Sequence, residues 1–121
     1  MKAVLIKAAE KKVVAVDVKP DPNRSLEGLR ALIGCDMVQP VVVGDGVTIW
    51  VDEEGRLKQP TAGFLLNGVP CVFAGNGVLL GGDASRARVC KASPEVVALG
   101  VRWLAPDQVP PPGPPQLVFF P

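Results

Sequence analysis

The stretch Val47-Thr48-Ile49-Trp50-Val51-Asp52-Glu53-Glu54-Gly55-Arg56-Leu57 constrains the fold more than any other. Val47, Ile49 and Val51 alternate with Thr48, Trp50 and Asp52, the period-two pattern of a strand. Asp52-Glu53-Glu54-Gly55 is turn chemistry: an Asp side chain accepts from the backbone ahead of it, and glycine takes the positive φ that closes a short loop. The stretch predicts an outgoing strand, a tight acidic turn and the start of a return strand. It speaks to fold and says little about activity.

The chain has 121 residues, enough for one domain. Hydrophobic residues are 48% and charged residues 21%, a balance that favours a packed core over disorder. Tyr is absent and aromatics are few, so Val, Leu, Ile and Ala must build that core. The net charge of +1 gives no broad basic footprint, so nucleic acid is not an expected partner. Cys35, Cys71 and Cys90 are odd in number and widely spaced. They form no disulfide framework or zinc motif, and are expected to be small buried hydrophobes in a reducing compartment. No run approaches the ~18 apolar residues of a membrane span. The opening Met1–Lys7 is too short in apolar residues for a signal peptide. The expected location is cytoplasmic, or the host cytoplasm for a viral protein. Scarce Asn and Gln with proline-rich loops lean towards a thermophilic source.

Along the chain, Ala3 to Ala8 and Val13 to Val18 read as an antiparallel hairpin. Lys19-Pro20-Asp21-Pro22-Asn23-Arg24 cannot continue the ladder, because its prolines lack donors. Ser25 is placed to cap a helix carrying the stripe Leu26, Leu29, Leu32 and Ile33, with Gly34 ending it. Met37 to Val43 is a third strand, kept at an edge or bulge by Pro40, and Gly44-Asp45-Gly46 turns it into the strand at Val47. Phe64 to Pro70 reads as a short strand or arm with an Asn-Gly turn. Cys71–Ala74 and Val78–Gly82 read as strands about the turn Gly75-Asn76-Gly77. Arg86 to Ala92 is a candidate strand. Ser93-Pro94-Glu95 starts a second short helix, which Gly100 ends before a strand at Val101–Leu104. These elements predict an α+β domain over residues 1–105. Its sheet is mostly antiparallel, with five to seven strands, one packed helix and a second short helix. Residues 106–121 read as a proline-rich tail.

The chemistry-bearing groups are sparse. Asp52, Glu53 and Glu54 resemble a cation site only in charge, since the alternating acids of a calcium loop are missing, and a solvated turn explains them. Gly75, Asn76 and Gly77, with Gly81-Gly82-Asp83, are a candidate phosphate cradle, although P-loop and dinucleotide spacings are absent and hairpin punctuation also explains them. Arg86, Arg88 and Lys91 are a third candidate: Arg86 and Arg88 share a face on an Arg86–Ala92 strand and suit a phosphate or acidic partner; a solvated strand face is the alternative. There is no histidine, the commonest base and metal ligand. Ser25, Ser85 and Ser93 have no activating neighbour in the sequence, and Cys35 follows a helix C-terminus, the wrong end of the dipole for a thiolate. An enzyme, a metal and a cofactor are therefore not expected. The last candidate is Leu117, Val118, Phe119 and Phe120, an apolar end behind extended prolines, which suits docking to a partner; a disordered terminus, or one folded back on its own domain, is the alternative.

Four segments together resemble a small family, the domain of unknown function numbered three-eight-four-six. They are Met1-Lys2-Ala3-Val4-Leu5-Ile6, Leu32-Ile33-Gly34-Cys35-Asp36, Thr48–Lys58 with its V-D-E-E-G-x-L-K turn, and Pro70 through Ala74-Gly75-Asn76-Gly77-Val78-Leu79-Leu80-Gly81. The resemblance covers residues 1–104. Thr61-Ala62-Gly63 departs from it, where members carry a polar residue after the proline, and so does the tail. The family has members on phages, prophages and plasmids and brings no catalytic residues. It implies an accessory protein of a mobile element that acts by binding. Together with the sparse catalytic chemistry and the apolar tail, that context gives the leading expectation: a protein that binds an unidentified host or phage protein and self-associates as a homo-oligomer, with host takeover or anti-defence as its setting. The alternatives are a protein that binds or sequesters a nucleotide or phosphate, and a virion component.

Overall fold

A computed structural model describes residues 1–58 and 60–111. Two hydrophobic strands, β1 (Lys2–Lys7) and β2 (Lys12–Asp17), open the chain as the expected hairpin, in register from Lys2 opposite Asp17 to Lys7 opposite Lys12. After the proline-rich loop comes α1 (Glu27–Ile33). The Ser25 hydroxyl accepts the Glu27 N–H at 3.2 Å, two residues ahead, and so shapes the turn before the helix. It is not the helix cap expected from the sequence: Leu26 holds that position, with no side-chain cap bond. Gly34 ends the helix at φ 81°, a left-handed conformation that glycine adopts without a Cβ penalty.

Next come β3 (Val38–Gly44) and β4 (Val47–Asp52), an antiparallel hairpin with a register shift between Val42 and Gly44. Pro40 sits in β3, which is an edge strand and so tolerates a missing donor. The return strand expected at Arg56–Leu57 does not form. Gly55–Leu57 is a turn of 3-10 helix, because Asp52 folds the chain over itself: its Oδ1 accepts the Glu54 N–H at 2.9 Å and its Oδ2 pairs with Lys58 at 2.7 Å. β5 (Gly63–Leu66) and β6 (Phe73–Ala74) follow, then β7 (Gly77–Gly82), β8 (Ala87–Arg88), α2 (Pro94–Leu99) and β9 (Val101–Leu104).

Every pairing among the described strands is antiparallel, so the fold is α+β as expected. The strands are divided differently, however: nine are described, six in one sheet and three in another. The larger sheet runs β2-β1-β7-β4-β3, with β8 also on β7, and the smaller runs β6-β5-β9. The stretch around Gly75-Asn76-Gly77 is thus not a hairpin. Both edges of β7 are taken, by β1 and β4, so β6 has no place beside it and pairs with β5. The strand expected over Arg86–Ala92 shrinks to Ala87–Arg88, which occupies β7 opposite Gly81 and Gly82 beyond the end of β1.

The larger sheet is buried on both faces, which is why β1, β4 and β7 read as dense apolar runs. On one face Ala3, Leu5, Trp50, Val78 and Leu80 pack with Leu29 and Ile33 of α1. On the other, Val4, Ile6, Ile49, Val51 and Leu79 pack with Phe64 and Phe73 of the smaller sheet. The alternation in β4 therefore sorts residues between two cores and not between core and water. Full burial of Phe64 or Ile49 stabilises the fold by about 1.5–3 kcal/mol each. Thr48, also fully buried, donates its hydroxyl to the Gly82 carbonyl at 2.9 Å and so meets the cost of its polarity. Packing continues past residue 105: Val109 is buried, and Arg56 donates to the carbonyls of Pro110 at 3.1 Å and Pro111 at 2.7 Å. No described helix is long and apolar enough to cross a membrane.

Candidate functional site

The cysteines are only partly buried, free thiols. Burial pushes the Cys35 and Cys71 thiols up from their ordinary value, away from thiolate character. The acidic turn spends Asp52 on Lys58, whose ammonium is held above its usual value by that hydrogen bond. Glu53 and Glu54 are exposed beside it. Among the described residues no three His, Cys, Asp or Glu side chains come together as a metal site.

The glycine turn and the arginines do not meet. Gly75, Asn76 and Gly77 lie at the start of β7, and Arg86 and Arg88 beyond its end. A strand of this length spans roughly 17–20 Å. Each residue of the glycine turn also has a structural task. Gly75 turns at φ 82°, and the Asn76 carboxamide oxygen accepts the Ala8 N–H at 3.2 Å, tying the turn to the end of β1. A Cβ on Gly77 would stand 2.9 Å from Ile49 Cδ1 and 3.0 Å from Phe64 Cζ. Arg86 sits in a turn organised by Asp83, whose Oδ1 accepts from the Ser85 hydroxyl at 2.6 Å and from the N–H groups of Ser85 and Arg86 at 2.9 and 3.0 Å. These bonds, the Ser85 hydroxyl foremost, hold the Asp83 carboxyl below its ordinary value. Leu117, Val118, Phe119 and Phe120 lie outside the described residues.

Among the described residues, two open grooves are candidates, each larger than the pocket of about 220 Å³ beside Asp52 and Cys71. The first, of about 700 Å³, lies between the Asn67–Pro70 turn and the junction of α2 with β9. Leu65, Leu66, Val69, Pro70 and Val101 give it apolar walls, and Leu99 stands at its rim 88% exposed. The Asn67 N–H donates to the Gly100 carbonyl at 2.8 Å, which fixes one wall to the other. Ser93 caps α2 through the Val96 N–H at 3.3 Å, as its position predicts. The second groove, of about 640 Å³, opens where the β3–β4 turn meets the end of β7 and the segment after β8. Arg88 and Lys91 line it; Arg86 does not.

Sequence reasoning missed Asn23 and Leu99. Asn23 acts as a strand partner for β8: its Oδ1 accepts the Ala87 N–H at 2.8 Å and its Nδ2 donates to the Ala87 carbonyl at 2.9 Å. Nothing in the loop's composition points to that distant partner. Leu99 had a signal. Val96, Val97 and Leu99 surround a helix of six residues, and only one side of so short a helix can be covered.

The model of the family described as Domain of unknown function (DUF3846) matches residues 1–104. The chain belongs to the DUF3846 family. That span takes in both sheets, both helices and the lining of both grooves, and stops where β9 ends. The DUF3846 chain is also similar to Protein PsiB of Rhizobium leguminosarum bv. phaseoli, 37% identical over 67 residues. The matched stretch is 55% of this chain and 49% of that protein, so the likeness covers about half of each. No solved structure matches the chain.

Proposed function

We propose that the chain is a non-enzymatic accessory protein of a phage or other mobile element, working by protein binding and self-association through the groove beside Leu99. The observation that carries this reading is Leu99 itself, 88% exposed at the rim of a groove whose apolar walls are joined by Asn67 and Arg102. Val96 on the same helix is 62% exposed. An apolar side chain held in water on an ordered helix favours a partner that covers it. β9 begins two residues later and is an edge strand of its sheet. Among the described residues no strand pairs with its outer edge, which leaves that edge open to a strand of another chain. A two-fold copy is the simplest such partner, because one face then serves both subunits. The raised thiols and the bonded Ser85 hydroxyl support binding over catalysis. The phage and plasmid setting rests on the family resemblance drawn from the sequence.

Light scattering on the full chain tests the reading. The mass of the wild type rises with concentration towards that of a dimer, and Leu99→Glu stays at the monomer mass with unchanged circular dichroism. A wild type that stays monomeric at every concentration overturns the self-association.

A further inference from the structure

We propose that the second groove is a binding site for a small anionic amphiphile, a free molecule with an apolar body and one carboxylate-type head. The site is independent of the surface beside Leu99.

Its floor comes from one face of the larger sheet. Val47 pairs opposite Gly81, and Leu79 stands two residues before Gly81, so the three share that face. Further along the same face, Ile49 and Gly77 are covered by Phe64 of the smaller sheet. That cover stops short of the β3–β4 turn, leaving the groove. Gly81 sets the second wall. A Cβ there would stand 2.6 Å from the Val89 carbonyl oxygen, so glycine lets the segment after β8 lie close across the strand. The Cys90 N–H then donates to the Lys2 carbonyl at 2.9 Å and anchors that segment to β1. Val89 is left 47% exposed against the groove. A volume of about 640 Å³ falls in the range of small-molecule sites, roughly 300–1,000 Å³.

The charge is on one wall. Arg88 and Lys91 line the groove, both exposed, and neither forms an ion pair among the described residues. Two carboxylates compete for them. Asp45 also lines the groove, and Asp83, which feels Arg88, is already bonded by Ser85 and Arg86. Unpaired cations beside an apolar floor favour a ligand whose head is anionic and whose body is not. A bare inorganic anion would leave the Val47 and Val89 surface wet, and a neutral amphiphile would leave both cations unused.

Isothermal titration of the full chain with decanoate, decanol and inorganic phosphate, with amide NMR shifts to locate binding, tests the proposal. Decanoate is expected to bind with shifts at Val47, Gly81 and Val89. Decanol and phosphate are expected to bind at least tenfold more weakly. Arg88→Gln with Lys91→Gln, both at exposed positions, should weaken decanoate at least tenfold, and Val89→Asp should do the same with both cations intact. Equal binding of decanol, equal binding of phosphate, shifts confined to another surface, or no decanoate binding each overturns the site.

Discussion

The ring of Phe64 lies where a side chain on Gly77 would be: a Cβ there would come within 3.0 Å of Phe64 Cζ. This absence lets the smaller sheet settle on the larger one. Phe64 then stacks on Phe73 with ring centroids 5.2 Å apart. Gly77→Ala is therefore expected to destabilise the fold by about 1–3 kcal/mol through overpacking. Urea unfolding should show a lower midpoint with an unchanged slope. An unchanged midpoint would show that Ile49 and Phe64 give way without cost.

Asn23 gives a second prediction. Its side chain makes both hydrogen bonds that a neighbouring strand would make to Ala87, which is 5% exposed. Asn23→Ala leaves that backbone pair unsatisfied and should cost about 2 kcal/mol. Amide exchange at Ala87 should accelerate more than at Val78 in the centre of β7. Uniform acceleration would mean that the loop, and not this pair, had been lost.

Much of this was legible in the sequence, and the boundary has physical causes. Local signals worked: Gly34 and Gly100 end their helices, Ser93 caps α2, and Pro40 marks an edge strand. Partners far along the chain were not readable. Asp52-Glu53-Glu54-Gly55 has hairpin chemistry, yet the pull of Lys58 on Asp52 winds the next residues into a 3-10 turn. Cys71–Ala74 and Val78–Gly82 looked like two arms of one hairpin. Only the competition for the edges of β7 sends them to different sheets. The candidate site suffered most, because glycines chosen for close packing carry the same signature as glycines that cradle a ligand.

The response to pH follows from the exposed pairs. Asp83, Asp17 and Glu10 are held below their ordinary values by hydrogen bonds, chiefly from Ser85, the N-terminal ammonium and Lys7 respectively. In each case the unfolded chain binds the proton more readily, so stability rises with pH through this range. The contribution is complete above the ordinary carboxylate value and is lost as pH falls through the lower folded one. Lys58 runs the other way: its value is raised by Asp52, so its contribution holds below 10.5 and is lost as pH climbs through the folded value. Thermal melts of Asp83→Asn should show a shallower acid limb, and those of Lys58→Met a shallower alkaline limb. Limbs that superimpose on the wild type would contradict the assignment.

The central claim is that this protein works by covering the apolar surface beside Leu99 with another chain. Hydrogen–deuterium exchange measured over a dilution series addresses it at the residues concerned. The account predicts that the outward amides of Val101–Leu104 exchange more slowly as concentration rises, with Leu99→Glu abolishing the effect. Exchange in β9 that is the same at every concentration, in wild type and variant alike, would contradict it.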